Sequence, residues 1–153
     1  MKEVFFIVVV AVWLTGCTGG GAALTDNVNK AALANTEKPN SALIPVPKLE
    51  RDFYDWYERH GAVLKYIHQQ EKIDIVFLGD SITHTFGGLP ESRIRRGQQT
   101  WEKYYSKRHA VNMGFGWDRT QNVLWRIKHG QLDGIKPKVV VLMIGTNNLT
   151  GTK

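Results

Sequence analysis

Cysteine is almost missing from this chain: Cys17 is the only one. One thiol makes no intramolecular disulfide, and with Cys17 engaged elsewhere cysteine nucleophiles and cysteine-held zinc fall away together. No histidines or carboxylates are spaced for a metal, so neither metal nor cofactor is expected. There is no phosphate loop. Gly114-Phe115-Gly116-Trp117-Asp118-Arg119 lacks the last glycine of the dinucleotide fingerprint, and Gly79-Asp80-Ser81-Ile82-Thr83 lacks that of the Gly-x-Ser-x-Gly elbow. No internal repeat is visible. Acidic residues are the minority, giving a formal charge of +6. The one dense basic region, Arg93, Arg95, Arg96, Lys103, Lys107 and Arg108, has no RNA-binding signature or interleaved aromatics and reads as a solvated face, which excludes nucleic acid as the expected partner. An apolar content of 42% against 22% charged residues suits one globular domain in 153 residues.

Long apolar runs are scarce too. Val4 to Leu14 is too short to span a bilayer comfortably, follows Lys2 and ends in small residues, as a secretory leader does. Leu14-Thr15-Gly16-Cys17 resembles the lipobox of bacterial lipoproteins. That resemblance implies a signal peptide over 1–16, lipidation of Cys17, and a bacterial cell-envelope protein whose membrane partner is reached through that lipid. Residues 17–48, rich in Gly, Ala, Asn, Thr and Pro, read as a flexible tether. The folded domain is expected over 49–153.

Within that domain, Leu49, Phe53, Trp56, His60, Val63, Leu64 and Ile67 recur at three- and four-residue spacing, predicting a helix from Glu50 to Gln70 on which His60 and His68 are packing or surface residues. Apolar runs at Ile73 to Leu78, Ala110 to Met113 and Lys138 to Ile144 predict strands, with a mixed region at Ser81 to Arg108 and a helix at Asp118 to His129 between them. Apolar strands alternating with helices predict a parallel sheet covered on both faces, with ligands beyond the carboxyl ends of the strands.

Three polar clusters fall at those ends: Gly79-Asp80-Ser81-Ile82-Thr83, Asn112 to Asp118, and Gly145-Thr146-Asn147-Asn148. Ser81 offers a hydroxyl and a backbone N–H at the start of a helix. The second cluster offers amides in a glycine-rich turn, and Asn147 offers a neutral side-chain donor; together they make half of an acyl-transfer site. Each piece also has a plain structural reading. Asp80 or Ser81 caps a helix, Gly114 and Gly116 serve the backbone, Asp118 caps the next helix, and Asn147 and Asn148 hold a turn.

The order of the three clusters resembles the SGNH hydrolases, also called GDSL esterases and lipases. Gly79-Asp80-Ser81-Ile82 is similar to their first block, NMGFGWDRTQNVLWRIKHGQLDGIKPK over Asn112 to Lys138 to the second in the platelet-activating-factor acetylhydrolase branch, and Gly145-Thr146-Asn147-Asn148 to the third. The resemblance covers about Lys72 to Leu149. It implies a three-layer α/β/α flavodoxin-like fold, no cofactor, and a serine esterase acting through an acyl-enzyme on short-chain, foremost acetyl, esters of a small molecule, glycan or lipid-like compound. Ser81 is then the nucleophile, the Trp117 amide and the Asn147 side chain are oxyanion donors, and Asp80, Gly114 and Gly116 support them. Trp117 stands where the family has glycine, with Gly116 as the alternative donor if the turn is shifted, and its indole is expected to wall the substrate pocket. The late Asp-x-x-His block does not occur in these residues. His84, one helical turn from Ser81 and without an aspartate to orient it, is assigned to substrate contact or surface. The reading is therefore of the amino-terminal part of a hydrolase, ending after its third strand and inactive by itself. A rival reading is a glycan-binding lipoprotein with Trp117 and Trp125 as stacking platforms, and a third is an inactive truncated product.

Overall fold

A computed structural model describes Phe5–Val8, as backbone, and residues 39–150. The leader sequence outside Phe5–Val8, Cys17 and most of the tether lie outside the described residues, as do 151–153. The three expected strands are present as β2 (Ile75–Gly79), β3 (Ala110–Gly114) and β4 (Val139–Met143). All pair in parallel, and their register is level: Ile75 lies opposite Ala110 on one side and Val139 on the other, and Gly79 opposite Gly114 and Met143. The segments leaving the sheet after these residues therefore start side by side. The order β3-β2-β4 is the first part of a flavodoxin-like sheet, whose switch point lies between β2 and β4.

A fourth strand was not expected. Phe5–Val8, read from the sequence as part of a leader, forms β1 and pairs in parallel with the outer edge of β4, Phe5 opposite Val139 and Val8 opposite Leu142. The edge of β4 presents a row of backbone donors and acceptors, and an apolar run can satisfy it whatever the run's other role.

Alternate residues of β2 point to opposite faces. Val76 and Leu78 join Val111, Met113 and Val140 in a core with Trp56, Val63 and Ile67 of α1 (Trp56–Gln69) and Val123 of α4 (Thr120–Arg126). Phe77, on the other face, packs on Trp101 of α3 (Gln98–Tyr104) and on Tyr105, with ring centroids 5.1 and 4.9 Å away. The expected three layers result.

Two helix boundaries differ from the periodicity. α1 begins at Trp56 rather than Glu50, because the Asp55 carboxylate caps it by accepting the Glu58 N–H at 2.9 Å. α4 begins at Thr120 rather than Asp118 and gives way after Arg126 to a π-type turn over Ile127–Gln131 that contains Gly130 at φ 94°. The described end of the tether does not hang free of α4. Thr120 Oγ1 donates to Ala42 O at 2.9 Å, Val46 N–H to Gln121 O at 3.2 Å, and Asn122 Nδ2 to Pro47 O at 2.6 Å.

Candidate active site

Ser81 is the first residue of α2 (Ser81–His84) and is exposed. Asp80, buried beneath it, is the cap: its Oδ1 accepts the Ile82 N–H at 3.0 Å. Burial raises the Asp80 carboxyl, and the Ile82 amide partly opposes that shift. A first-turn N–H has no acceptor within its own helix, so the Ser81 amide stays available beside its hydroxyl. Gly79 is required here because a Cβ would meet Met143 O and Thr83 Oγ1. Gly114 is required because a Cβ would strike the backbone of Thr83 and His84.

Asn112, buried on β3, ties the second cluster to α2. Its Nδ2 donates to Thr83 O at 2.7 Å and Gly87 O at 2.6 Å, while its Oδ1 accepts the Gly114 N–H at 2.9 Å. Beyond the strand, Phe115 N–H donates to Gly79 O at 3.0 Å, and Gly116 N–H to His84 Nδ1 at 3.1 Å. That bond distinguishes the two amides of the turn. Gly116 N–H is engaged, whereas Trp117 N–H has no acceptor among the described residues.

Trp117 sits in the left-handed region at φ 61°, the conformation for which glycine is the usual choice, with its side chain 50% exposed. The turn has kept its shape and accepted the strain of a side chain. The Tyr54 hydroxyl steadies it by donating to Gly116 O at 3.2 Å.

His84 differs from expectation. It is only 3% exposed, so it is not a surface residue, and its Nδ1 accepts a backbone amide, which leaves the proton on Nε2. Burial, reinforced by the nearby Arg59 and Arg126 charges, lowers its pKa to about 3. With Nδ1 taken by an amide and no carboxylate bonded to the ring among the described residues, His84 is not arranged as a general base. His84 also lines a cavity of about 210 Å³ with Phe53, Tyr54, Arg59 and Arg93; Ser81 is not part of its wall.

Asp118 is not the cap expected of it. Its Oδ1 accepts the Trp56 indole N–H and its Oδ2 the Arg126 Nε–H, both at 2.7 Å, in a pair that is 2% and 0% exposed. Burial pushes the Asp118 carboxyl up and the Arg126 guanidinium down, each opposed by the other's charge. The carbonyl of Asp118 faces the third cluster and accepts from Asn147 Nδ2 at 2.9 Å. An amide nitrogen has two hydrogens, so Asn147 keeps a second one for a ligand. The turn itself is held by Asn148, whose Oδ1 accepts the Thr120 N–H at 3.0 Å and whose Nδ2 donates to Gln121 Oε1 at 2.9 Å.

The structure thus gathers Ser81, the Trp117 amide and Asn147 at neighbouring strand ends, with Asp80, Gly114 and Gly116 behind them. His60 is a packing residue as expected, stacked on Trp56 and bonded through Nδ1 to Gln131 at 3.1 Å. Trp125 does not serve as an open platform: His129 stacks on it at 3.6 Å, and Trp56 packs at 5.3 Å. Sequence reasoning missed Asn112 and two of the buried arginines, Arg59 and Arg126. Arg59 donates to Gly114 O at 2.7 Å, and burial lowers its pKa to about 10. The available signal was a basic residue inside an apolar stripe, Arg59 three residues after Trp56 and Arg126 three after Val123.

A model of the GDSL-like Lipase/Acylhydrolase family matches residues 77–153. The chain is 36% identical over 97 residues to platelet-activating factor acetylhydrolase IB subunit alpha2 of Homo sapiens, covering 63% of this chain and 38% of that protein. It is 34% identical over 116 residues to the alpha1 subunit of Bos taurus, covering 76% and 45%. The chain spans less than half the length of these curated relatives.

Proposed function

This chain belongs to the GDSL-like lipase and acylhydrolase family, and from that membership we propose that the whole protein hydrolyses short-chain carboxylic esters, acetyl esters foremost, through an acyl-enzyme on Ser81. The reading is supported by the level register of β2, β3 and β4, from whose ends the segments carrying Ser81, Trp117 and Asn147 start side by side, and by the unengaged hydrogens of the Trp117 amide and Asn147 Nδ2.

In the proposed reaction a base takes the Ser81 proton as Oγ attacks the ester carbonyl. The carbonyl oxygen becomes negative and is met by the amides of Ser81 and Trp117 and by Asn147. Collapse expels the alcohol, which leaves with the proton held by the base. Water, deprotonated by the same base, then releases the acid from Ser81. With His84 engaged by Gly116, the base and its carboxylate are assigned to an Asp-x-x-His block outside the 153 residues. The names of the relatives support an acetyl group. The half-exposed Trp117 indole supports a substrate shape narrower than a glycine would admit.

Ser81→Ala in the full-length protein, assayed on p-nitrophenyl acetate, is expected to lower kcat by at least about 1,000-fold. Full activity in that variant would overturn the proposal. Envelope location through a lipid on Cys17 is part of the same proposal, supported by Leu14-Thr15-Gly16-Cys17. Cleavage there would remove β1 and leave the edge of β4 open to another strand. The mass of the amino-terminal peptide from native cells tests it: a diacylated Cys17 is expected, and an intact Met1 would overturn it.

A further inference from the structure

Arg126 is wholly buried, and its planar group reaches the first two clusters directly and the third only through Asp118. Nη2 donates to Gly79 O at 3.3 Å, Nη1 to Met113 O at 3.0 Å and Gln131 Oε1 at 2.5 Å, and Nε to Asp118 Oδ2 at 2.7 Å. Gly79 precedes Asp80-Ser81, Met113 precedes Gly114, and Asp118 follows Trp117 and holds Asn147 through its carbonyl. We propose that Arg126, acting through Asp118, is the positioning residue that sets the distances between the Ser81 nucleophile and the Trp117 and Asn147 oxyanion donors. This rests on the esterase reading above.

Two physical arguments lead there. A buried ion pair is a poor device for stability alone, since apolar residues of the same volume commonly do as well; its distinctive product is a fixed geometry. The fork of a guanidinium holds several acceptors in one plane, which an ammonium cannot do. In addition, a left-handed tryptophan persists only where its surroundings over-determine it. Gly116 is held on one side by His84 and Tyr54, and Asp118 on the other by Arg126 and Trp56. Of these partners, Arg126 is the one that also grips the strand leading to Ser81. A misplacement of about 1 Å at such a site is enough to slow catalysis about 100-fold.

The test compares Arg126→Lys and Asp118→Asn in the full-length protein with Val123→Ala, a core truncation on the same helix that touches none of these bonds. Steady-state rates on p-nitrophenyl acetate and inhibition by a trifluoromethyl ketone analogue are read at a temperature where circular dichroism shows every variant folded. Arg126→Lys and Asp118→Asn should lower kcat about 10- to 100-fold with KM nearly unchanged, and weaken the analogue by the same factor as kcat/KM. Val123→Ala should keep its kcat. Wild-type kcat and analogue affinity in Arg126→Lys would overturn the inference, as would an equal loss in Val123→Ala. If Arg126→Lys does not fold, Gln131→Met, which removes one partner of the guanidinium, should give a smaller loss of the same kind, and unchanged kinetics there would count against the proposal. An inactive wild-type protein would instead defeat the esterase reading. The positioning role is then read by NMR, where Asp118→Asn must shift the Trp117 amide and the Asn147 side-chain amide; unmoved resonances would overturn it.

Discussion

Each end of the sheet carries an aspartate among cations, and the two arrangements differ in nearly everything else. At the amino ends of the strands, Asp74 meets Lys72 and Lys138 at 2.9 Å and His109 at 3.0 Å, and all three partner side chains are more than half exposed. At the carboxyl ends, Asp118 meets Arg126 with both side chains out of water. Hydrogen bonds from Lys72 and Lys138 hold the Asp74 carboxyl well below the usual carboxylate range, whereas burial pushes Asp118 up. Charges that stay hydrated are cheap to gather and fix little geometry; desolvated charges are tolerated only where every partner is in place. The buried ion pair, the left-handed tryptophan and the close contacts of Gly79 and Gly114 lie at one end, the end that holds Ser81.

Removing one member of the buried pair should produce the largest effect on stability. Asp118→Ala leaves Arg126 without its counter-charge and is expected to cost about 3–5 kcal/mol in urea denaturation. A cost below about 1 kcal/mol, the ordinary value for exposed pairs, would erase the difference between the two ends.

Acid should act next, through His84. Its folded pKa of about 3 lies below the unfolded value of about 6.5, so between them the unfolded chain binds more protons and stability rises with pH. The contribution is complete above about pH 6.5 and is lost downward at roughly 1.4 kcal/mol per pH unit. His60, lowered chiefly by burial, adds in the same direction. His84→Gln should flatten this slope in unfolding experiments between pH 4 and 6.5, and an unchanged slope would place the titration elsewhere.

Trp117→Gly should relieve the left-handed strain, worth about 1–2 kcal/mol, less about 0.5–1 kcal/mol for the added freedom of the unfolded chain. The net expectation is a small rise in stability together with faster turnover of bulkier esters relative to acetate. A fall in stability would show that the indole contributes more by packing than the turn loses by strain.

Asp74→Asn is expected to do least. The folded carboxyl is depressed, so its contribution is present above the ordinary pKa of about 3.9 and disappears as the pH falls below it. The difference in Tm from wild type should be small at pH 7, shrink in high salt and shrink progressively as the pH falls below about 4. An effect exceeding that of Asp118→Ala would invert the comparison of the two ends.

Much of the fold was legible because its strands are short apolar runs ending in glycine or a polar turn, and that pattern survives any packing. Ser81 and Asn147 were legible for the same reason: each stands a fixed step beyond a strand. Asn112, Arg59 and Arg126 were not, because their partners are carbonyls and side chains brought near only by the sheet. The surface reading of His84 failed because position along the chain says nothing about which layers will close over the ring. The docking of residues 39–48 on α4 escaped notice for a related reason, since it uses backbone bonds and polar side chains that leave no periodicity.

By itself the amino-acid sequence determined that three apolar segments become parallel strands and that a serine, an unusual tryptophan turn and an asparagine follow them, since hydrophobic periodicity and chain order are local properties. Tertiary structure alone decided that the Gly116 amide is engaged and the Trp117 amide is not, that the buried His84 ring is the acceptor, and that Asp118 faces Arg126. Those outcomes depend on which groups meet once water has been excluded between the layers, and desolvation is a property of the assembled core.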